Sequence, residues 1–263
     1  MKEKNQEKRK REKVFNLVNV KIKILMIDIK HKEFLDSGVH LGHMSKKWNP
    51  NMAPYILMKK HGIHIIDLNK TIQKLHEAAG VLKTIIRSGR KIMFVATKKQ
   101  AKISIESEAL RLNMPYVTER WLGGMLTNFS TIKKSLKKMI SVDKMMKEVS
   151  YQNLAKREKL MINRKKYKLE KLLGGMNNLT RLPAALFLID TNKEHIAIKE
   201  AQKMGIVVFA LVDTNSDPNL VNYPIPGNDD STKSISIIVK NIGKAIEEGL
   251  EERKKDKEKS QNK

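Results

Sequence analysis

Two apolar runs, AALFLID (184–190) and IVVFALVD (206–213), bracket a helical stretch, NKEHIAIKEAQKMG (192–205), that ends on a glycine. Strand, helix and strand joined by short connections imply a right-handed crossover and a parallel sheet, which leaves few architectures open. The same alternation begins upstream. KIMFVA (91–96) reads as a buried strand, and KKQAKISIESEALRLN (98–113) after it as a helix. Before it, NKTIQKLHEAAGVLKTIIRSG (69–89) places Ile72, Leu75, Ala79, Leu82 and Ile86 three and four residues apart, an amphipathic helix ending at Gly89. YILMKKHGIHIIDL (55–68) holds two short β-like runs broken at His61-Gly62, and Pro115 opens another short extended run. A last helix is expected over roughly 230–249, where Asn228, Asp229 and Asp230 can cap orphan backbone N–H groups. With 263 residues, the chain suits one large α/β domain, or one such domain carrying an insertion.

The alternation breaks between two copies of LGGM, at 122–125 and 173–176. Phe129, Ile132, Leu136, Met139 and Met146 follow near-heptad spacing, then the turn-like EVSYQN (148–153) precedes a less regular helix over 154–172. This pattern predicts an antiparallel helical hairpin inserted into the α/β domain, with Gly-Gly pairs at both feet. Residues 133–171 hold fourteen Lys/Arg against four acids, a net +10, so the hairpin is expected to project as a basic arm. The expected organisation is therefore a basic extension over 1–32, an α/β domain over 33–125 and 173–250, the hairpin over 126–172, and a charged, flexible tail over 251–263. Residues 1–25 alone carry nine Lys/Arg and three Glu, and Met26 reads as an alternative start.

A formal charge of +25 and a pI near 10 concentrate polyanions around a protein and favour nucleic acid as a partner. Cysteine is absent, which removes disulfides, thiolate chemistry and every Cys-based zinc site, and fits a reducing compartment. The most apolar N-terminal run, 14–29, is broken by Lys21, Lys23 and Asp28, so no membrane span or signal peptide is read, and a cytoplasmic protein is expected.

Asp190 and Asp213 end two strands, where ligands of parallel sheets sit, and could hold Mg²⁺ in a phospho-acceptor or nucleotide-binding domain. Against that, VDTNSDP is dense in turn-forming residues, and the chain has no GxGxxG after its first clear strand, no Walker loop, no GxSxG and no HExxH. HLGHMSKKWNPNM (40–52) pairs His40 with His43, two zinc ligands at most, and no second pair completes a site. The same loop has a different logic. Lys46 and Lys47 can neutralise phosphates, while Trp48 offers a face for stacking or for packing. Lys98 and Lys99, at a strand end and helix start, can reach phosphate. Arg120 and Trp121 precede the hairpin's first foot, where Gly123 and Gly124 suggest a bend.

Together, LDSGVHLGH, KWNPNMAPYI, HGIHIIDLNKT, FVATKKQA, RWLGGMLTNFSTI, LEKLLGGM, LPAALFLIDTNKEHIAIKEA and VDTNSDPNLVNYPIPGNDDS closely resemble the family of bacterial-type ribosomal small-subunit protein two, from about Glu33 to Leu250. The resemblance implies a flavodoxin-like three-layer α/β/α domain with a mainly parallel sheet and an inserted antiparallel helical hairpin. It implies no enzyme, no catalytic residue, no metal and no cofactor. It implies binding to small-subunit ribosomal RNA near the head–body junction, neighbouring small-subunit proteins, docking of ribosomal protein one, and support of translation initiation, with no membrane and no homo-oligomer. Matched onto the family's loops, the candidate RNA-contacting residues are His43, Lys46, Lys47, Trp48, Lys98, Lys99 and Arg120, to which the hairpin adds Lys133 and Lys134. The basic extension and the charged tail lie outside the resemblance.

Overall fold

The computed structural model describes residues 31–147, 154–177 and 179–261. The basic arm over 1–25, the alternative start at Met26 and the EVSYQN turn lie outside them.

Five strands, β4 (Ile92–Val95), β5 (Tyr116–Val117), β6 (Ala185–Ile189), β7 (Val207–Val212) and β8 (Tyr223–Pro226), form a parallel sheet in the order β5-β4-β6-β7-β8. Counted from β4, that is the 2-1-3-4-5 order of flavodoxin-like folds. Side chains alternate between the two faces, as strand pleating requires. Ile92, Phe94, Phe187, Ile189, Phe209 and Leu211 point to one core, whereas Met93, Val95, Leu186, Leu188, Val208 and Ala210 point to the other. The first core is closed by α1 (Leu68–Arg87), α2 (Lys99–Arg111) and α6 (Thr232–Gln261), and the second by α5 (His195–Lys203) and the feet of the hairpin. Helices on both faces explain why these strands are uniformly apolar.

The hairpin, α3 (Phe129–Lys147) and α4 (Lys156–Leu173), occupies the connection from β5 to β6. It is more than an arm. Leu126, Ile132, Leu136, Met139, Leu173 and Met176 are buried in the second core, so the proximal half replaces the covering helix expected there. Removing all of 126–172 would therefore uncover the part of this face that α5 does not cover. The LGGM feet fit this tight seat. Gly124 has φ +88°, and at Gly175 a Cβ would run into the Tyr116 carbonyl oxygen and ring.

A second, antiparallel sheet runs β1-β3-β2, built from β1 (Leu41–Met44), β2 (Ile56–Lys60) and β3 (Ile63–Ile66). The break at His61-Gly62 is the β2–β3 turn, with φ of +48° and +78°. β1 lies against the loop after β7: the His43 N–H donates to Thr214 Oγ1 at 2.8 Å, and Asn49 N–H donates to the Thr214 carbonyl at 2.8 Å. Contact is close enough that a Cβ on Gly42 would stand 2.5 Å from Thr214 Cγ2.

α6 continues through the segment expected as a tail. Lys83 of α1 pairs with Glu248 at 3.1 Å and Glu252 at 2.9 Å, and Arg87 pairs with Asp256 at 2.8 Å. Among the described residues, no helix is long and apolar enough to cross a membrane.

Candidate nucleic-acid interface

Over residues 132–139 of α3 the charge faces outward because the apolar stripe faces inward. On α3 the buried positions are Ile132, Leu136, Met139 and Val142, and Lys133, Lys134, Lys137 and Lys138 lie between them, exposed. Lys133 Nζ stands 5.3 Å over the Phe129 ring, which steadies the side chain without consuming its charge. Lys46 and Lys47 are exposed on a 3₁₀ turn over Ser45–Lys47. Trp48, next to them, is shared: its ring lies 5.0 Å from that of His64, yet 38% of the residue is open to solvent. Lys99 is exposed as the first residue of α2. Arg120 is exposed on the rim of a cleft of about 410 Å³ that also takes Thr97, Lys193 and Glu194.

His43 and Lys98 sit differently. Lys98 Nζ lies 2.7 Å from Asp229, 2.6 Å from Asp230 and 3.8 Å from Asp190, with 12% of its side chain exposed. Burial works against its charge, but the Asp229 and Asp230 carboxylates outweigh that and hold the ammonium above its ordinary pKa. His43 Nδ1 is 3.0 Å from Asp213, and Nε2 is 3.2 Å from Asp230. The Asp213 hydrogen bond, stronger than the opposing burial, raises the imidazole pKa. Asp229 has no exposed surface. Burial, reinforced by the charges of Asp213 and Asp190 and opposed by Lys98, pushes its carboxyl up to about 7. These side chains meet at the carboxyl ends of β4, β6 and β7 and tie the small sheet to the large one.

The same constellation bears on metal binding. His43, Asp213, Asp229 and Asp230 bring one ring nitrogen and three carboxylate oxygens within 4.8 Å of one another, and Asp229 Oδ2 is buried without a hydrogen-bond partner. This donor set fits a divalent cation. The His40–His43 spacing is not what creates it: His40 stays outside the group, and His43 instead joins three aspartates from far along the chain. Asp213 was legible as a strand-end acid. Asp229 and Asp230 read only as caps.

Glu200 carries a role that the sequence concealed. It is buried on α5, and it accepts from Trp121 Nε1 (3.2 Å), Gly124 N (2.7 Å), Leu126 N (2.9 Å) and Thr127 N (3.2 Å). Burial alone would raise its pKa, but these donors hold it below the usual carboxylate value. The loop leading into the hairpin thus folds around one carboxylate.

Residues 34–249 match the family described as ribosomal protein S2. The chain belongs to that family. It is 63% identical over 230 residues to the small ribosomal subunit protein uS2 of Cytophaga hutchinsonii, covering 88% of this chain and 91% of that one. Its identity to the uS2 protein of Amoebophilus asiaticus is 58% over 232 residues, 88% of this chain and 74% of the other. For Parabacteroides distasonis uS2 the figures are 56% over 232 residues, 88% and 84%. The family is structural and non-enzymatic, so the strand-end aspartates need no catalytic reading. The flavodoxin-like α/β architecture is the fold expected of it.

Proposed function

We propose that the chain is a structural component of the small ribosomal subunit that holds small-subunit ribosomal RNA through the outer face of the hairpin and the Ser45–Trp48 turn. The observation that carries this reading is the family match across residues 34–249, at 63% identity to a uS2 protein. The charge distribution supports it: Lys46, Lys47, Lys99, Arg120, Lys133 and Lys134 are exposed, and the chain's +25 offsets phosphate repulsion. His43 and Lys98 act beneath that surface, fixing the turn and strand ends rather than touching phosphate. Membership of the subunit makes the protein cytoplasmic.

The finer reading puts this contact near the head–body junction, with ribosomal protein one docking alongside to support initiation. A protein neighbour needs apolar surface, and edge strand β2 offers Leu57 and Met58 at 60% and 52% exposure. Sedimentation of a tagged full-length chain through sucrose gradients of its own lysate, at low and at moderate salt, tests the assignment. Stoichiometric co-migration with the small subunit that survives moderate salt is expected. A harmlessly tagged chain that stays at the top while ribosomes are intact would overturn it.

A further inference from the structure

On the sheet face opposite the hairpin, α2 and α6 flank a groove of about 510 Å³. Its walls carry the hydroxyls of Ser37, Ser104, Thr232 and Ser236 and the ammonium groups of Lys233 and Lys240, over Ile237. No carboxylate lines it among the described residues. Among the described residues, neither lysine is taken up by an ion pair, and none of the four hydroxyls by a hydrogen bond. Donors of this kind, with nothing to cancel them, suit phosphate oxygens. Lys233 and Lys240 stand seven residues apart on one helix, ~10 Å along its axis, which spreads the positive charge along the groove. The groove follows α6 and lies wide open to solvent, a shape for an extended backbone rather than for an enclosed small ligand.

We propose that this groove holds a stretch of RNA phosphodiester backbone, separate from the RNA gripped by the hairpin. The inference rests on the reading that the chain binds RNA, and adds that it does so on both faces of its sheet. The large sheet and its covering helices lie between the two surfaces, so RNA gripped by the hairpin does not reach the groove without wrapping an edge. The domain is a spacer between two RNA segments.

The test compares four full-length proteins: wild type, Lys233→Gln/Lys240→Gln, Ser104→Glu and, for the hairpin, Lys133→Gln/Lys134→Gln. Each is bound to purified small-subunit RNA between about 0.05 and 0.2 M salt. Each lost phosphate contact makes the log K against log salt slope shallower by about 0.7–0.9, so the groove double variant should lose about 7- to 12-fold less affinity than wild type across that range. Ser104→Glu, which keeps both lysines but adds a repelling charge, should bind more weakly than wild type. Urea midpoints confirm that each variant is folded. Groove variants that match wild type while the hairpin variant has the shallower slope overturn the proposal and leave the RNA reading standing. A wild type that does not bind at all removes both. Inorganic phosphate, added at constant ionic strength, separates the two sources of phosphate chemistry. Competition that saturates and vanishes in the groove double variant would make this a small-anion site and overturn the assignment to RNA backbone.

Discussion

Glu200→Ala takes away a carboxylate that five donors share, the Thr127 hydroxyl among them, and leaves the Gly124, Leu126 and Thr127 N–H groups facing an empty site. A hydrogen bond to a charged acceptor contributes about 1.5–3 kcal/mol, and a buried donor left unpaired costs about 1–3 kcal/mol. These terms are not additive, because water entering the vacated space re-pairs some donors. About 3–5 kcal/mol is therefore the expected loss, the cost of breaking a buried charged contact. Glu200→Gln keeps the shape but turns an NH₂ toward one pair of donors, and should cost about 1–3 kcal/mol. Urea unfolding followed by tryptophan emission suits the question, since Trp121 is one of only two tryptophans and donates directly to Glu200. With a slope of about 2–3 kcal/mol/M, the alanine midpoint should fall by about 1–2 M. The pH dependence has a defined sign. A carboxyl with a lowered folded pKa stabilises above its unfolded pKa of about 4.5 and loses that contribution as pH falls through the folded value, so the glutamine variant should be less acid-sensitive than wild type. An alanine variant with a midpoint within about 0.2 M of wild type and unchanged Trp121 emission would refute the idea that Glu200 organises the hairpin's foot.

Two further outcomes are expected. Gly175→Ala should lower the melting temperature by about 3–10 °C, since the new methyl meets backbone and ring of Tyr116 with no room to yield; an unchanged melt would mean the hairpin foot is not seated on β5. Asp229, with a folded pKa near 7 against 3.8 unfolded, should make the protein more stable at low pH and less so as pH rises through about 7. In the presence of a chelator, Asp229→Asn should flatten urea midpoints between pH 5 and 8, and a wild type already flat over that range would contradict the burial argument.

Much of this architecture was legible because it rests on local signals. β4, β6 and β7 are apolar on both faces, and α1 repeats its buried residues at helical spacing. β8 was not legible. Its four residues, Tyr223-Pro-Ile-Pro226, contain two prolines, which argue against a strand except at an edge, and β8 is the sheet's edge. β1 was hidden in a loop-like run of His and Gly because its pairing partner, β3, lies beyond β2. The surface part of the candidate site follows from lysine density, so Lys133, Lys134, Lys46 and Lys47 stand where composition put them. Lys98 and Glu200 do not, for a shared reason. Lys98 meets Asp229 131 residues later, and Glu200 meets donors that precede it by 73 to 79 residues. A charged residue in an amphipathic helix looks like solvated surface until the distant groups that bury it are in place. The α6 extension misleads in the same way, because Lys83 and Arg87 pair with acids that looked like part of a self-balanced tail.

The position of the hairpin has a temporal consequence. β4 and β6 are neighbours in the sheet, yet the chain between them includes β5 and both hairpin helices. As the chain is synthesised, β4 must wait, its centre-sheet edge unpaired, until residues 118–184 have been added. Closing a connection of that length rather than the dozen residues of a minimal crossover costs only about 1.5 kcal/mol in chain entropy. Two helices that zip against each other locally shorten the span that must be closed. The lysine-rich helices are thus synthesised before β6, and the strand that completes the centre of the sheet comes after the hairpin that covers it.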